Sequence, residues 1–176
     1  MRTRRIAFNI NYKIHKNQKM KIFIISDTHF SHKNIIEYTH RPFKTAEEMN
    51  ETIINKWNNK VGKEDLVIHL GDFALGSKEE IKELRSRLNG IILLIRGNHD
   101  HQSKINEADF IIIEDYIIIG DKIFSHRPIE KNLIPYGLTN VHGHIHEKES
   151  LSGINVSVEK TNYEPLELEE LKKKCK

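Results

Sequence analysis

Three histidines alternate along the stretch NVHGHIH, which covers residues 140–146. His142, His144 and His146 occupy every second position, so in a β-strand their side chains would lie on one face. Such a row suits either an exposed polar strand face or a metal site, because neutral imidazole is the commonest metal-binding side chain. This stretch alone does not decide between the two interpretations.

Four more segments place oxygen and nitrogen donors directly after an apolar run of the buried-strand kind. They are SDTHF with Asp27 and His29, LGDF with Asp72, RGNHD with Asn98, His99 and Asp100, and FSHRP with His126. In open α/β sheets, ligands bind outside the carboxyl ends of the strands. Each motif is weak by itself, but the set would bring carboxylates, an amide and imidazoles to one edge. The sequence therefore predicts a functional metal site there.

Strands and helices that could position these segments alternate from Met20 onwards. Buried-strand patterns cover 21–26, 65–72 and 91–97, and helical spacing covers 45–61 and the segment from Ser77 towards Gly90. A capping box opens each helix, Thr45 with Glu48 and Ser77 with Glu80. Beyond residue 110 the pattern is mostly β, and a helix is predicted over 165–175. This order predicts an α/β fold with α+β character in its second half.

Composition narrows the class of protein. The chain has 176 residues, of which 38% are hydrophobic, enough for one domain with its own core. Cys175 is the single cysteine, which excludes a disulfide framework and favours a reducing, cytoplasmic compartment. Because no apolar run reaches the ~18 residues of a membrane span, we expect no membrane partner.

The net charge of +3 comes from the first residues. Residues 1–20 contain six Lys or Arg and no acid, which leaves 22 basic and 25 acidic residues, or −3, for the remainder. We interpret residues 1–19 as a basic N-terminal extension, disordered or arising from a mis-assigned start, and residues 20–176 as a single domain. A basic tail that binds a partner is the alternative. The charge of the body does not favour a nucleic-acid partner, which would need a local basic patch.

The motifs D-x-H, G-D, G-N-H-D, H and G-H-x-H, in this order, resemble those of the calcineurin-like metallophosphoesterases. The resemblance runs from about Met20 to the C-terminus. The longer strings SDTHFSHKNII, HRPF, HLGDFA and NVSVE resemble a small prokaryotic and phage branch of that family. The resemblance implies a four-layer αββα sandwich, in which two mixed β-sheets are flanked by helices and the metal site lies at the carboxyl ends of the strands.

The resemblance also implies ligands for two divalent ions. The first ion would be held by Asp27, His29, Asp72 and His146. The second would be held by Asp72, Asn98, His126 and His144, with the Asp72 carboxylate bridging. Mixed oxygen and imidazole ligation suits a transition metal, Mn²⁺ first, with Fe, Zn²⁺ or Ni²⁺ as alternatives. His142 is left over, and we expect it to lie behind the ligands or to be exposed.

The implied reaction is hydrolysis of a phosphoester, preferably a diester, by direct attack of a hydroxide shared by the two ions. His99 would be the catalytic acid and Asp100 its orienting partner. A nuclease or a phosphomonoesterase of the same fold is the alternative. A non-catalytic scaffold is disfavoured because His99 and every ligand position are present.

Three further residues are candidates for substrate contact: His32, Arg41 and Arg127. The alternative for His32 is a solvated loop residue, and for the two arginines it is a surface salt bridge. His69 lies inside a strand pattern and is predicted to be a hydrogen-bonded core histidine.

Overall fold

The computed structural model of the protein describes residues 19–174, and for residues 172–174 it describes the backbone only. The predicted N-terminal extension therefore lies outside the described residues, apart from Lys19. No helix in the described part of the chain is long and apolar enough to cross a membrane.

The first sheet has five strands in the order β4-β3-β2-β1-β9. Its parallel strands are β1 (Ile22–Ile25), β2 (Leu66–His69), β3 (Ile91–Ile95) and β4 (Phe110–Ile113), and β9 (Leu166–Glu167) pairs antiparallel with β1. Parallel neighbours need crossover connections. These contain α1 (Lys33–Tyr38), α2 (Ala46–Lys60), α3 (Lys78–Ser86) and α4 (Gln102–Ile105). The four parallel strands consequently end at one edge of the sheet.

The second sheet has the order β5-β6-β7-β8 and is also mixed. Its strands are β5 (Tyr116–Ile119), β6 (Lys122–Ser125), β7 (Thr139–His142) and β8 (Ile154–Asn155). β5 and β6 form the hairpin predicted around Gly120, whereas β6, β7 and β8 run parallel. The helix α5 (Leu168–Lys174) follows β9.

The first sheet is buried on both faces, as its continuous apolar runs predict. Alternate residues of β1 show the division, since Phe23 packs with Trp57 on the helix side and Ile24 packs with Phe124 between the sheets. The prediction of a mixed α/β fold with two mixed sheets flanked by helices is therefore confirmed.

Two local predictions need correction, and one helix was missed. The last helix begins at Leu168 rather than at residue 165, because Leu166 first pairs with Ile24 in the sheet. The capping box of Ser77 is present, but at Thr45 only one half forms: Thr45 accepts from the Glu48 amide, while the Glu48 carboxylate accepts from Lys44. The short helix α1 was not predicted.

Candidate metal centre

The loops after β1 and β2 run side by side at the carboxyl edge of the first sheet. The Asp27 amide donates to the Gly71 carbonyl and the His29 amide to the Asp72 carbonyl, both at 3.0 Å. After the second sheet's β8, Ser157 forms a parallel bridge with Ser26. These backbone contacts bring the ligand-bearing loops of both sheets together.

The backbone is unusual at the predicted ligands. Five of them have positive φ angles between 47° and 70°: Asp27, His29, Asp72, His144 and His146. This left-handed region costs a residue other than glycine about 1–3 kcal/mol, and such strain clusters at functional sites. Tertiary contacts therefore hold these side chains in positions that local preference disfavours.

We call Asp27, His29 and His146 the first cluster; one donor atom from each lies within 4.8 Å of the others. Asp27 Oδ2 accepts hydrogen bonds from the His144 amide and the Ser157 hydroxyl, both at 2.9 Å. Asp27 Oδ1 and both ring nitrogens of His29 are buried and have no hydrogen-bond partner among residues 19–174. Because unpaired buried polar atoms are costly, these three atoms indicate a missing ligand.

The second cluster consists of Asp72, His126 and His144, which meet the same 4.8 Å criterion, together with the adjacent Asn98. The Leu70 carbonyl lies 2.8 Å from His126 Nδ1 and can only accept, so that nitrogen carries the proton of the neutral ring. His126 Nε2 then has a lone pair, yet it lies 3.0 Å from Asn98 Oδ1 and 3.2 Å from His144 Nδ1. A lone pair that faces the amide oxygen at this distance fits a cation between the ligands.

Asp72 joins the two clusters. Its Oδ1 accepts from the His99 amide at 2.8 Å, while its Oδ2 lies 3.5 Å from His29 Nε2 and 3.5 Å from His126 Nε2. Burial, aided by the charge of Asp100, raises the pKa of Asp72 to about 6 despite the His99 hydrogen bond. A bridging cation would offset this cost of burying a carboxylate.

The imidazoles are mostly held neutral, as metal ligation requires. Burial, followed by the Arg41 charge, lowers the pKa of His29 well below its usual value. Burial also lowers the pKa of His126. Burial and the charge of the neighbouring His126 together lower the pKa of His144 to about 4. Burial acts in the same direction on His146, but its hydrogen bond to Glu159 and the charges of Asp27 and Glu159 outweigh it and raise that pKa.

Two glycines allow the loops to approach the carboxylates. A Cβ on Gly97 would collide with the Asp72 carboxylate and amide, and one on Gly143 would collide with Asp27 and Ser26. The glycines of the G-N-H-D and G-H-x-H motifs are thus required by the close contact between loops.

His99 lies next to the clusters, and its ring centroid is 5.4 Å from that of His29. Asp100, expected to orient His99, has a different position. Its carboxylate accepts from the backbone amides of Asp72, Phe73 and Gly97 at 2.7–2.9 Å. Both oxygens therefore tie the loop after β2 to the loop after β3, which makes Asp100 a support for the Asp72 loop.

Arg41, expected as a substrate contact or a surface salt bridge, is neither. Its side chain is completely buried and donates to Glu159 Oε1, to the Asp27 carbonyl and to the Thr28 carbonyl at 2.7–3.0 Å. It thus braces the first ligand loop from inside and cannot reach a substrate. The H-R-P-F pattern contains no signal for this burial.

The other two substrate candidates do lie at the site. The His32 ring centroid is 5.6 Å from that of His29. Arg127 is exposed, and its Nη2 lies 3.4 Å from Asn98 Oδ1. Their role in substrate binding stays a prediction.

His142 and His69 are both buried. His142 Nε2 lies 2.7 Å from the Ser150 hydroxyl and its Nδ1 lies 2.9 Å from the Gly143 carbonyl, so this ring holds the loop of His144 and His146 from behind. Of the two alternatives for His142, the position behind the candidate ligands is the one observed, and the ring is not exposed. His69 bonds to Thr28 Oγ1 and the Gly71 amide, which confirms a hydrogen-bonded core histidine.

Glu159 was missed by sequence reasoning. Its Oε1 lies 3.1 Å from His146 Nδ1, and its side chain is 5% exposed. It belongs to the string NVSVE, but a single glutamate in a short polar segment gives no indication of burial.

A family model for calcineurin-like phosphoesterases matches residues 20–174. With this match over most of its length, and with two clusters of ligands at the strand ends, the chain belongs to the calcineurin-like phosphoesterase family.

The chain is similar to proteins from an archaeon, a phage and a bacterium. An uncharacterised protein of Methanocaldococcus jannaschii is 42% identical over 161 residues, or 85% of this chain and 88% of that protein. The Gene 66 protein of Mycobacterium phage L5 is 33% identical over 101 residues, or 56% of this chain and 48% of the phage protein. The crystal structure of a protein of unknown function from Aquifex aeolicus has a TM-score of 0.72 at 26% identity, covering 88% of this chain and 99% of that one.

Proposed function

We propose that this protein is a metal-dependent phosphodiesterase that uses two divalent transition-metal ions, with Mn²⁺ as the first choice. The observation that carries the proposal is the pair of adjoining clusters around Asp72. Asp72 Oδ2 lies 3.5 Å from His29 Nε2 in the first cluster and 3.5 Å from His126 Nε2 in the second. The first ion would be held by Asp27, His29, Asp72 and His146, and the second by Asp72, Asn98, His126 and His144. When bound, such ions supply Lewis-acid stabilisation of the phosphoryl oxygens and acidify water for attack at neutral pH.

His99 is proposed to donate a proton to the leaving oxygen. Its backbone amide is anchored to Asp72 Oδ1 at 2.8 Å, so the ring is kept beside the shared carboxylate. The ring itself is exposed and is free to meet a substrate. General acid catalysis requires such a side chain within hydrogen-bond reach of the leaving group.

Two grooves support a diester substrate. The first groove, about 420 Å³, reaches His29 and His146 and is lined farther out by His32, Tyr38 and Lys148. The second groove, about 520 Å³, reaches Asn98 and His126 and is lined farther out by Arg96, Tyr116 and Arg127. A phosphate between the clusters would lie next to both grooves, since residues of the first cluster line one groove and residues of the second line both. A diester carries two organic substituents, one for each groove, whereas a monoester carries one.

The burial of Arg41 supports the same choice. A monoester dianion needs more cationic contacts than a diester monoanion does. Of the two arginines considered as phosphate contacts, Arg41 is enclosed by protein carbonyls and Glu159, and Arg127 alone reaches the surface of the site. A diester therefore suits the available charge better.

The test is a screen of metals against substrates with the full chain. Aryl phosphodiesters, aryl phosphomonoesters, cyclic nucleotides and short nucleic acids are incubated with metal-free protein and with Mn²⁺, Fe²⁺, Zn²⁺ or Ni²⁺. We expect hydrolysis that requires added metal and a higher kcat/KM for diesters. Full activity in the metal-free protein would overturn the mechanism, and a preference for monoesters would overturn the diester assignment. Faster cleavage of nucleic acids than of small diesters would favour a nuclease.

A further inference from the structure

We propose that Glu159, braced by Arg41, is a positioning residue for the first cluster and controls the affinity of that cluster for a divalent ion. This role of Glu159 rests on the proposed binding of a metal ion by the first cluster, whichever phosphoester is hydrolysed.

The contact between Glu159 and His146 determines the orientation of the ring. A carboxylate accepts and cannot donate, so the 3.1 Å contact from Glu159 Oε1 places a proton on His146 Nδ1. The other ring nitrogen, Nε2, is then the one available to a metal ion. Ligand histidines commonly have such a carboxylate partner, which fixes the ring and raises its basicity.

Arg41 holds the glutamate in place. Its Nε and Nη2 donate to Glu159 Oε1 at 3.0 and 2.7 Å, and its Nη2 and Nη1 also donate to the Asp27 and Thr28 carbonyls at 2.8 and 2.9 Å. The same guanidinium therefore joins the backbone of one ligand, Asp27, to the partner of another, His146. The pair is separated by 118 residues in the sequence and is almost completely buried.

The second cluster has a different arrangement. The corresponding partner of His126 is the neutral Leu70 carbonyl, 2.8 Å from Nδ1. His144 receives its support from the backbone contact of its amide with Asp27. Glu159 is not a partner of either ring, so a change at Glu159 should affect one cluster and spare the other.

The experiment isolates each cluster in the full chain. A His126→Ala background leaves the first cluster intact, and a His29→Ala background leaves the second intact. Glu159→Gln keeps the shape and one acceptor oxygen but removes the charge, and Glu159→Ala removes the side chain. Mn²⁺ affinity of the metal-stripped proteins is measured by titration calorimetry. The matched control is Glu149→Gln, because Glu149 is an exposed glutamate that pairs with Lys160 in the same part of the chain.

We expect Glu159→Gln to weaken Mn²⁺ binding by about 10-fold in the His126→Ala background, and Glu159→Ala by about 100-fold, the usual range for partners of metal ligands. In the His29→Ala background both changes should alter the affinity less than about threefold. Glu149→Gln should have no effect in either background.

Two outcomes would overturn the proposal. One is an unchanged affinity of the first cluster in Glu159→Ala. The other is an equal loss in both backgrounds, which would make Glu159 a general structural residue. If neither variant folds, Glu159→Asp replaces them: it keeps the charge but withdraws the carboxylate from His146, so the first cluster should weaken selectively, and an unchanged affinity would again overturn the proposal. Because the readout is metal affinity, the proposal can fail while phosphodiester hydrolysis is observed, and the reverse.

Discussion

The two clusters share Asp72 but lie in unlike surroundings. In the first, Asp27 and His29 are buried, and the charges of Glu159 and Arg41 are paired behind His146. In the second, Asn98 is exposed and neutral, and the Arg127 guanidinium lies 3.4 Å from its oxygen. In the ligand sets proposed above, the first ion would meet two carboxylates, those of Asp27 and Asp72, whereas the second would meet only the Asp72 carboxylate, with the Arg127 cation beside it. Similar motifs have produced two sites of different charge, and we expect the first to bind a divalent ion more tightly.

The largest loss of metal and of activity should come from a change at Asp72, the carboxylate that faces both clusters. Asp72→Asn deletes the carboxylate that faces both His29 and His126, so both ions should be lost. Turnover should fall by more than about 10³-fold, because under the proposed mechanism bound ions would supply both the nucleophile and charge stabilisation. Metal content after gel filtration and the hydrolysis rate are the measurements. Asp109→Asn is the control, since its side chain is 99% exposed. Retention of one ion would mean that Asp72 serves one cluster only.

The distinction between the candidate ligands of the clusters and the proposed catalytic acid is tested at His99. His99→Ala should keep both ions but reduce the rate by about 10²–10⁴-fold, the usual contribution of a positioned acid. The loss should be greater for an alkoxide leaving group than for an activated phenolate, because the phenolate leaves without a proton. Metal content and rates with both leaving groups are compared. Loss of an ion would make His99 a ligand, and an equal loss of rate on both substrates would indicate phosphate binding instead.

A smaller change should remove the difference in charge between the clusters. Asn98→Asp gives the second cluster a carboxylate of its own and should raise its Mn²⁺ affinity by about tenfold or more. Calorimetric titration of the wild-type chain should resolve a tight and a weak step, and the two steps should converge in the variant. Equal affinities in the wild-type chain would contradict the comparison.

The smallest expected effect concerns the support of the first ligand loop, where His69 binds Thr28. Burial, aided by the His126 charge, lowers the pKa of His69 to about 3, so the folded state keeps this ring neutral while the unfolded chain takes up a proton near pH 6.5. A lowered histidine pKa contributes stability that is present above pH 6.5 and is lost as the pH falls towards 3. The slope is at most about 1.4 kcal/mol per pH unit.

The measurement compares denaturant unfolding of metal-stripped wild-type protein and His69→Gln between pH 7.5 and 5. Titration of the ligand side chains is common to both proteins, so the difference in slope reports His69. Wild-type stability should fall more steeply with acid than that of the variant. Parallel curves would show that His69 takes up its proton in the folded state as it does in the unfolded chain, which would contradict a lowered pKa.

Much of the centre could be predicted from the sequence because its ligands follow local patterns. Apolar runs that end in Asp27, Asp72 or Asn98 specify buried strands whose polar ends must meet at a sheet edge. The G-H-x-H motif likewise predicts two imidazoles at that edge, but the shared strand face suggested by the alternation is not formed, because β7 ends at His142 and both His144 and His146 follow it in left-handed conformations. These features depend on residues near each other in the chain, and the structure places their side chains in two adjoining clusters.

The supporting residues could not be predicted in this way. Whether Arg41 is a surface cation or a buried brace depends on Glu159, 118 residues away, and Asp100 supports the Asp72 loop only because β2 and β3 are neighbours. Hydrogen bonds of this kind are made between loops of the folded chain and leave no periodic pattern in the sequence. The sequence by itself therefore determined most of the order of strands and helices and which side chains are candidate ligands. The tertiary structure alone decided which carboxylates support the loops, which arginine is enclosed, and how the charge differs between the two clusters.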